Sequence, residues 1–271
     1  MPKDLRNLPI VITGASSGIG AATALACARK GMPIAIAARR VDKLEAVAAE
    51  IKREGGKVIT VACDVTKPDE CEALVDATVR EFGSIYGVFA NAGYGVEQSF
   101  LSQSDNDIRA MFETNFWGSV NVIRPALKHM TKARKGHVLW CSSCLAKIGI
   151  PMYASYCASK AMQDHFARAM RHELRAKGIF VSSVHPVGTK TEFFEKVEAR
   201  GAKLLSKTPE RFMQPPSRVA NAVVSCLRSP RGEVWTSLPM RLGLGMAGMF
   251  PGMADFALGK MYAHRMKRDT Q

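Results

Sequence analysis

The chain has 271 residues, of which 47% are hydrophobic, enough to bury a sizeable core in one large α/β domain or two small ones. Its seven cysteines are an odd number scattered through core-like segments, which excludes a disulfide framework and points to reduced thiols. The formal net charge is +14, with no Asp or Glu between Thr114 and Gln163. Such a basic stripe suits nucleic acid, an anionic membrane or an acidic carrier. No nucleic-acid motif accompanies it, however, and Lys128 to Lys135 read as cations decorating a helix C-terminus. No nucleic-acid partner is expected. No apolar signal segment precedes the first strand, so the expected compartment is the cytoplasm.

Taken in chain order, strand and helix patterns alternate. Pro9 to Ile12 is a short apolar strand, and Ala21 to Lys30 continues as helix. Ile34 to Ala37 is a second strand, followed by helical spacing at Leu44, Val47, Ala48 and Ile51 that stops at Gly55-Gly56. A strand over Val58–Cys63 precedes a helix marked by Cys71, Leu74, Val75 and Phe82, and Ile85–Ala90 is the fourth strand. The spacing then predicts one long helix from about Asp105 to Met130, a strand over His137–Cys141, a helix over Tyr153–Lys177 and a strand over Phe180–His185. Residues 191–214 are charged and irregular, as in a flap. A helix over Val219–Leu227 and a short strand over Glu233–Thr236 close the pattern. Repeated βαβ units imply a single doubly wound, Rossmann-type α/β domain over residues 1–238, with a central parallel seven-stranded sheet flanked by helices. Residues 239–271 form an extension.

Two places carry chemistry. Gly14, Gly18 and Gly20 lie in Thr13-Gly14-Ala15-Ser16-Ser17-Gly18-Ile19-Gly20, at a strand-to-helix turn. There a glycine backbone, small hydroxyls and a helix N-terminus suit a pyrophosphate. Tyr156 and Lys160 stand at i and i+4, one helical turn apart. An ammonium so close favours the phenolate and brings a group that ionises near pH ~10 within reach of acid–base work at neutrality. Cys141-Ser142-Ser143-Cys144 has redox spacing but sits at a strand end and reads as packing.

These motifs occur in the order found in the short-chain dehydrogenase/reductase family, which the chain resembles from about Asn7 to Thr236. The further elements of the resemblance are Asp64-Val65, Asn91-Ala92-Gly93, Asn115 and Ser143. It implies that Asp64 and Val65 flank an adenine, with a turn role also open to Asp64. Asn91, Ala92 and Gly93 would brace the sheet beside the cofactor ribose. Ser143 would hold the substrate oxygen while Tyr156 exchanges its proton. Lys160 would hold the nicotinamide ribose and lower the Tyr156 pKa, and Asn115 would fix a water linked to Lys160. Pro186, Thr189 and Thr191 would meet the carboxamide, although Val187 stands where relatives have glycine. The implied reaction is hydride transfer between nicotinamide and a carbonyl or secondary alcohol, with no metal. An alternative is a cofactor-binding scaffold or sensor with little turnover.

After the second strand the chain reads Ala38-Arg39-Arg40 where a carboxylate would serve the unphosphorylated cofactor. A guanidinium there suits a 2′-phosphate, so NADP is the expected cofactor, with Arg39 as main contact and Arg40 beside it. Tyr94, Phe100, Leu145, Ile148, Met152, Phe193 and Phe194 would line an apolar pocket for a lipophilic carbonyl or alcohol. The resemblance implies a homodimer or homotetramer. From Leu242 to Ala254 there are thirteen uncharged residues, too few to span a bilayer, followed by Lys260, Arg265, Lys267 and Arg268. This tail suits a substrate lid, a subunit contact or peripheral membrane association.

Overall fold

The computed structural model describes residues 2–192 and 213–269. β1 (Ile10–Thr13), β2 (Ile34–Ala38), β3 (Val58–Ala62), β4 (Gly87–Ala90), β5 (Gly136–Cys141), β6 (Ile179–His185) and β7 (Glu233–Trp235) form one seven-stranded sheet in the order β3-β2-β1-β4-β5-β6-β7. Every neighbouring pair is parallel. This is the doubly wound Rossmann-type sheet that the alternating pattern predicts. The strand order reverses between β1 and β4, where open α/β sheets place ligands.

β1, β2, β4 and β5 are buried along their whole length, as helix-covered parallel strands must be. Alternate residues face opposite layers. Ile10, Ile12, Ile34 and Ile36 join the layer containing α1 (Gly18–Ala28), α2 (Val41–Arg53) and α7 (Pro216–Arg228). Val11, Ala35 and Val88 join the layer containing α3 (Pro68–Phe82), α5 (Gly118–Ala133) and α6 (Ala154–Arg175). All seven cysteines are free and buried.

One segment differs from expectation, and another takes a form that the sequence left open. The long helix is divided into α4 (Asp105–Phe112), a π turn at Glu113–Trp117 and α5. At the π turn the Gly118 N–H reaches the Glu113 carbonyl, and the Asn115 carbonyl accepts from Ser119 Oγ at 2.8 Å and Gln163 Nε2 at 2.5 Å. Those side chains compensate for the widened ladder. The tail, read from the sequence only as an apolar and then basic extension, forms α8 (Leu238–Met249) and α9 (Pro251–Asp269). Ser237 caps α8 by accepting from Met240 N, and Pro251 opens α9 at a position where its missing N–H costs nothing.

Phe89 is fully buried in central β4. Phe89→Ala should therefore lower the unfolding free energy by about 3–5 kcal/mol, read from the shift in urea midpoint. A loss below ~1 kcal/mol would contradict this packing.

Candidate active site

At the strand-order reversal, β1 and β4 approach so closely that side chains are excluded. Gly14 has φ +64°, and a Cβ there would lie 2.8 Å from Ala92 Cα. A Cβ on Gly20 would meet the Gly14 carbonyl and lie 2.7 Å from Asn91 Nδ2. Asn91 Nδ2 donates to the carbonyls of Thr13 (3.0 Å) and Gly14 (3.2 Å), and the Thr13 hydroxyl accepts from Asn91 N and Ala92 N. The result is a backbone cradle opening onto the N-terminus of α1, where Ser17 is the cap residue and Ile19 is half-buried.

An anion occupies the edge of this cradle. The Glu192 carboxylate accepts from Ser17 Oγ at 3.2 Å, Arg40 Nη1 at 2.7 Å and Lys43 Nζ at 2.6 Å. Arg40 Nη2 also donates to the hydroxyls of Ser16 and Ser17. Arg39 is placed differently: its guanidinium is mostly exposed and lies 3.7 Å from Asp64 Oδ2. The groups that grip the anion are thus Arg40 and Lys43, not Arg39, because Arg39 turns toward the Asp64 carboxylate across the strand ends. Nothing in the sequence singled out Lys43 beyond its place one turn after Arg40.

Asp64 takes the turn role, with Oδ1 accepting from Thr66 N and Thr66 Oγ1. Burial raises its pKa, but the Thr66 bonds and the nearby Arg39 outweigh it and hold the carboxyl below its usual value. Val65 is buried, and its carbonyl accepts from Asn121 Nδ2.

Ser143 follows β5 and accepts from Leu145 N at 3.1 Å, while Tyr156 stands in the first turn of α6. The two hydroxyls are hydrogen-bonded. Burial pushes the Tyr156 phenol well above its ordinary value, and the bond to Ser143 opposes this in part. Lys160 is 4% exposed, with Nζ donating to the Cys141 carbonyl at 2.7 Å and Gln163 Oε1 at 3.0 Å. Its Nζ lies 5.8 Å from the Tyr156 ring centroid. In this geometry the two hydrogen bonds of the ammonium go to a carbonyl and an amide.

The Asn115 side chain locks the Tyr94 backbone, accepting from its N–H and donating to its carbonyl, both at 2.9 Å, and also donates to Ser159 Oγ. Gln163 bridges the Lys160 ammonium and the Asn115 carbonyl directly. One turn beyond Lys160 on α6, Gln163 was legible only as a helix residue.

Behind Ser143 lies a buried polar network that the sequence did not reveal. His185 Nδ1 lies 3.0 Å from the Ser143 carbonyl, its Nε2 lies 3.2 Å from Asp164 Oδ1, and its ring stacks on Trp235 at 4.5 Å. Lys147 Nζ donates to Asp164 Oδ2 at 2.6 Å and Glu233 Oε1 at 3.0 Å. Asp164, His185 and Glu233 offer donor atoms within 4.8 Å of one another, but the cation between the two carboxylates is the Lys147 ammonium.

After β6, the Pro186 carbonyl accepts from Cys144 N. Thr189 bridges to Gln214, and the Thr191 methyl would lie 3.0 Å from a Cβ on Gly18. Both ends of the expected flap thus return to the site, while Phe193, Phe194 and the stretch between lie outside the described residues. Tyr94, Leu145, Ile148 and Met152 are partly covered. Phe100 is 72% exposed, so the expectation that it lines the pocket is not met: its loop carries the ring out to solvent.

The sequence pattern of the family described as short chain dehydrogenase matches residues 9–201. An uncharacterized oxidoreductase of Listeria innocua is 30% identical over 229 residues, 83% of this chain and 92% of that protein. The 11-beta-hydroxysteroid dehydrogenase 1A of Arabidopsis thaliana is 42% identical over 177 residues, 64% of this chain and 50% of that protein. The alcohol dehydrogenase of the archaeon Thermococcus sibiricus, solved in complex with 5-hydroxy-NADP, superposes with a TM-score of 0.74 at 28% identity, covering 84% of this chain and 95% of that one.

The polar network generates a pH prediction. Burial raises the carboxyl pKa of Glu233, but bonds from Trp235 and Lys147 outweigh it and hold the value at about 2, and the bonds to His185, Lys147 and Ser183 likewise outweigh burial at Asp164. Both folded values lie below the unfolded carboxyl range of ~4, so the stability they supply is present above that range and is lost as pH falls from there through the folded values. Urea midpoints should decline below pH ~5, and Asp164→Asn should cost about 3 kcal/mol at neutrality while flattening the decline. An unchanged acid limb in that variant would show the network to be inert.

Proposed function

The chain belongs to the short chain dehydrogenase family, whose members here are oxidoreductases, and on that premise we propose that it is an NADP(H)-dependent carbonyl reductase or alcohol dehydrogenase. The observation that carries the reading is the hydrogen-bonded pair Ser143–Tyr156, set one helical turn from a buried lysine and beside a backbone cradle that admits no side chain. The cradle fits a dinucleotide: its glycines leave room for a pyrophosphate, and Ser17, Arg40 and Lys43 already hold a carboxylate as they would a phosphate. The bound nicotinamide supplies or accepts the hydride.

The chain's own residues do the rest. Ser143 and Tyr156 hydroxyls hold the substrate oxygen, and Tyr156 passes its proton to that oxygen as negative charge develops there. A phenol raised by burial is in its neutral, proton-bearing form at working pH, which suits the reductive direction. Lys160 has three N–H donors and spends two on Cys141 and Gln163, leaving one for a ribose hydroxyl. Asn115 and Gln163 keep α6 and the π turn in register around it.

Preference for NADP over NAD follows from the Arg40 and Lys43 pair with the Ser16 and Ser17 hydroxyls, which would grip a 2′-phosphate. A lipophilic substrate is supported by the partly covered Tyr94, Leu145, Ile148 and Met152 and by the likeness to a hydroxysteroid dehydrogenase. Exposed Trp117 and Phe166, at the π turn and on α6, support a homo-oligomer. A cytoplasmic setting fits the seven free cysteines, and no helix among the described residues is long and apolar enough to cross a membrane.

Tyr156→Phe should retain the fold and NADPH binding yet lose about 10²–10⁴-fold in turnover against a panel of ketones and aldehydes followed by nicotinamide absorbance. A variant that keeps most of its rate would overturn the mechanism and favour a scaffold. Arg40→Ala should lower kcat/KM with NADPH about 10–100-fold while sparing NADH, with a smaller effect for Arg39→Ala. Equal losses with both cofactors would remove the argument for NADP.

A further inference from the structure

α8 and α9 bury almost nothing. Among the described side chains none in α8 is buried, although only one, Arg241, is charged. Leu244 and Ala247 on α8 and Ala254, Leu258 and Tyr262 on α9 are partly covered, at the three- and four-residue spacing of an inward stripe. The pair meets the body beside the proposed catalytic groups. α8 packs on the 3₁₀ turn Cys144–Lys147 that follows Ser143, and the Tyr262 hydroxyl reaches Met152 Sδ at 3.4 Å, just ahead of the helix that carries Tyr156.

The opposite stripe is the unusual one. Leu238, Leu242, Met246 and Met249 recur every three or four residues along α8, and Met253 and Phe256 continue the pattern on α9, all between 54% and 73% exposed. These long, flexible side chains point away from the body, opposite the covered stripe. The cations then gather toward the C-terminal end. Residues 238–269 hold five Lys or Arg (Arg241, Lys260, Arg265, Lys267, Arg268) against two Asp (Asp255, Asp269). Lys260 Nζ sits 5.9 Å over the Phe256 ring, an ammonium flanking an exposed aromatic.

We propose that the outward face of α8 and α9 docks on an anionic lipid bilayer, laying an apolar stripe into the interface beside the mouth of the active site. Apolar residues bounded by cations are what an interfacial helix needs. A chain carrying +14 is drawn to a negatively charged surface. The same charge disfavours a second copy as the occupant, because it would press two strongly cationic chains together. Spanning is not available, since neither helix is long and apolar enough to cross. The contact gives access: a lipophilic carbonyl dissolved in the bilayer would meet the segments around Ser143 and Met152 without crossing bulk water, a consequence that rests on the oxidoreductase reading, whereas the docking itself does not.

The test is co-sedimentation of the full chain with vesicles of phosphatidylcholine alone or of phosphatidylcholine with phosphatidylglycerol, with no substrate present. The expected result is binding to the anionic vesicles, weaker by about tenfold or more on the neutral ones and reduced by raised salt. Met249→Ser with Phe256→Ser should abolish the binding, as should Lys260→Glu with Lys267→Glu, with the urea midpoint and gel-filtration behaviour unchanged. Should the serine variant fail to fold, the charge variant, which leaves the apolar stripe intact, carries the same decision. Failure of the full chain to sediment with anionic vesicles overturns the proposal, as does binding indifferent to the substitutions. A dimer that the serine variant splits, with no vesicle binding in the parent, assigns the face to a second copy instead. Because no turnover is read, a negative result leaves the oxidoreductase reading standing, and an inactive enzyme that still binds vesicles leaves the docking standing.

Discussion

The contact on which the rest of the molecule depends is the meeting of two backbones where the sheet reverses its order. Thr13 and Gly14 at the end of β1 press against Asn91 and Ala92 at the end of β4, and a single hydroxyl and a single carboxamide satisfy the main-chain groups that the reversal leaves unpaired. Buried donors and acceptors are costly to leave unsatisfied, so this small set of bonds sets the distance between the two strand ends beyond the β1–β4 ladder. Everything functional hangs on that distance. The start of α1 faces one side of the crevice, and Ser143, Tyr156 and Lys160 face the other.

Ser143 and Tyr156 gain their rigidity from behind. The Ser143 carbonyl rests on His185, which is held by Asp164 and Ser183, and these are tied through Lys147 to Glu233 at the far edge of the sheet. Charged groups so deep must be paired to be tolerated, and here each charge answers another. Lys160 obeys the same rule by a different route, with a carbonyl and an amide as partners instead of a carboxylate. Its ammonium is thereby oriented without being neutralised.

The strands were legible because parallel strands covered on both faces leave a simple trace, short apolar runs such as Ile34–Ala37. The glycine turn and the Tyr156–Lys160 pair were legible because each is local, a few residues whose spacing is itself the geometry. Contacts between distant segments left no such trace. Nothing in the sequence near Gln163 says that its amide will span Lys160 and Asn115, and nothing near Lys147 announces partners at Asp164 and Glu233. Arg39 and Arg40 illustrate the same point: adjacent residues at a strand end point in different directions, and only the fold decides which one meets Ser16 and Ser17. In the tail, glycines and Pro251 hid two helices, because propensity weighs against helix where a cap and partial packing favour it.

Glu192 gives this architecture one more property. Its carboxylate is bound by Ser17, Arg40 and Lys43, the same three side chains to which the proposed function assigns a cofactor phosphate, and two anions cannot share them. On that proposal, affinity for a phosphorylated ligand would be the intrinsic affinity reduced by the weight of the internal competitor, and weakening the hold on Glu192 would strengthen the ligand correspondingly. Linkage runs both ways: a ligand that takes the three side chains releases Glu192, and with it the tether that draws the start of the following segment against α1 and α2.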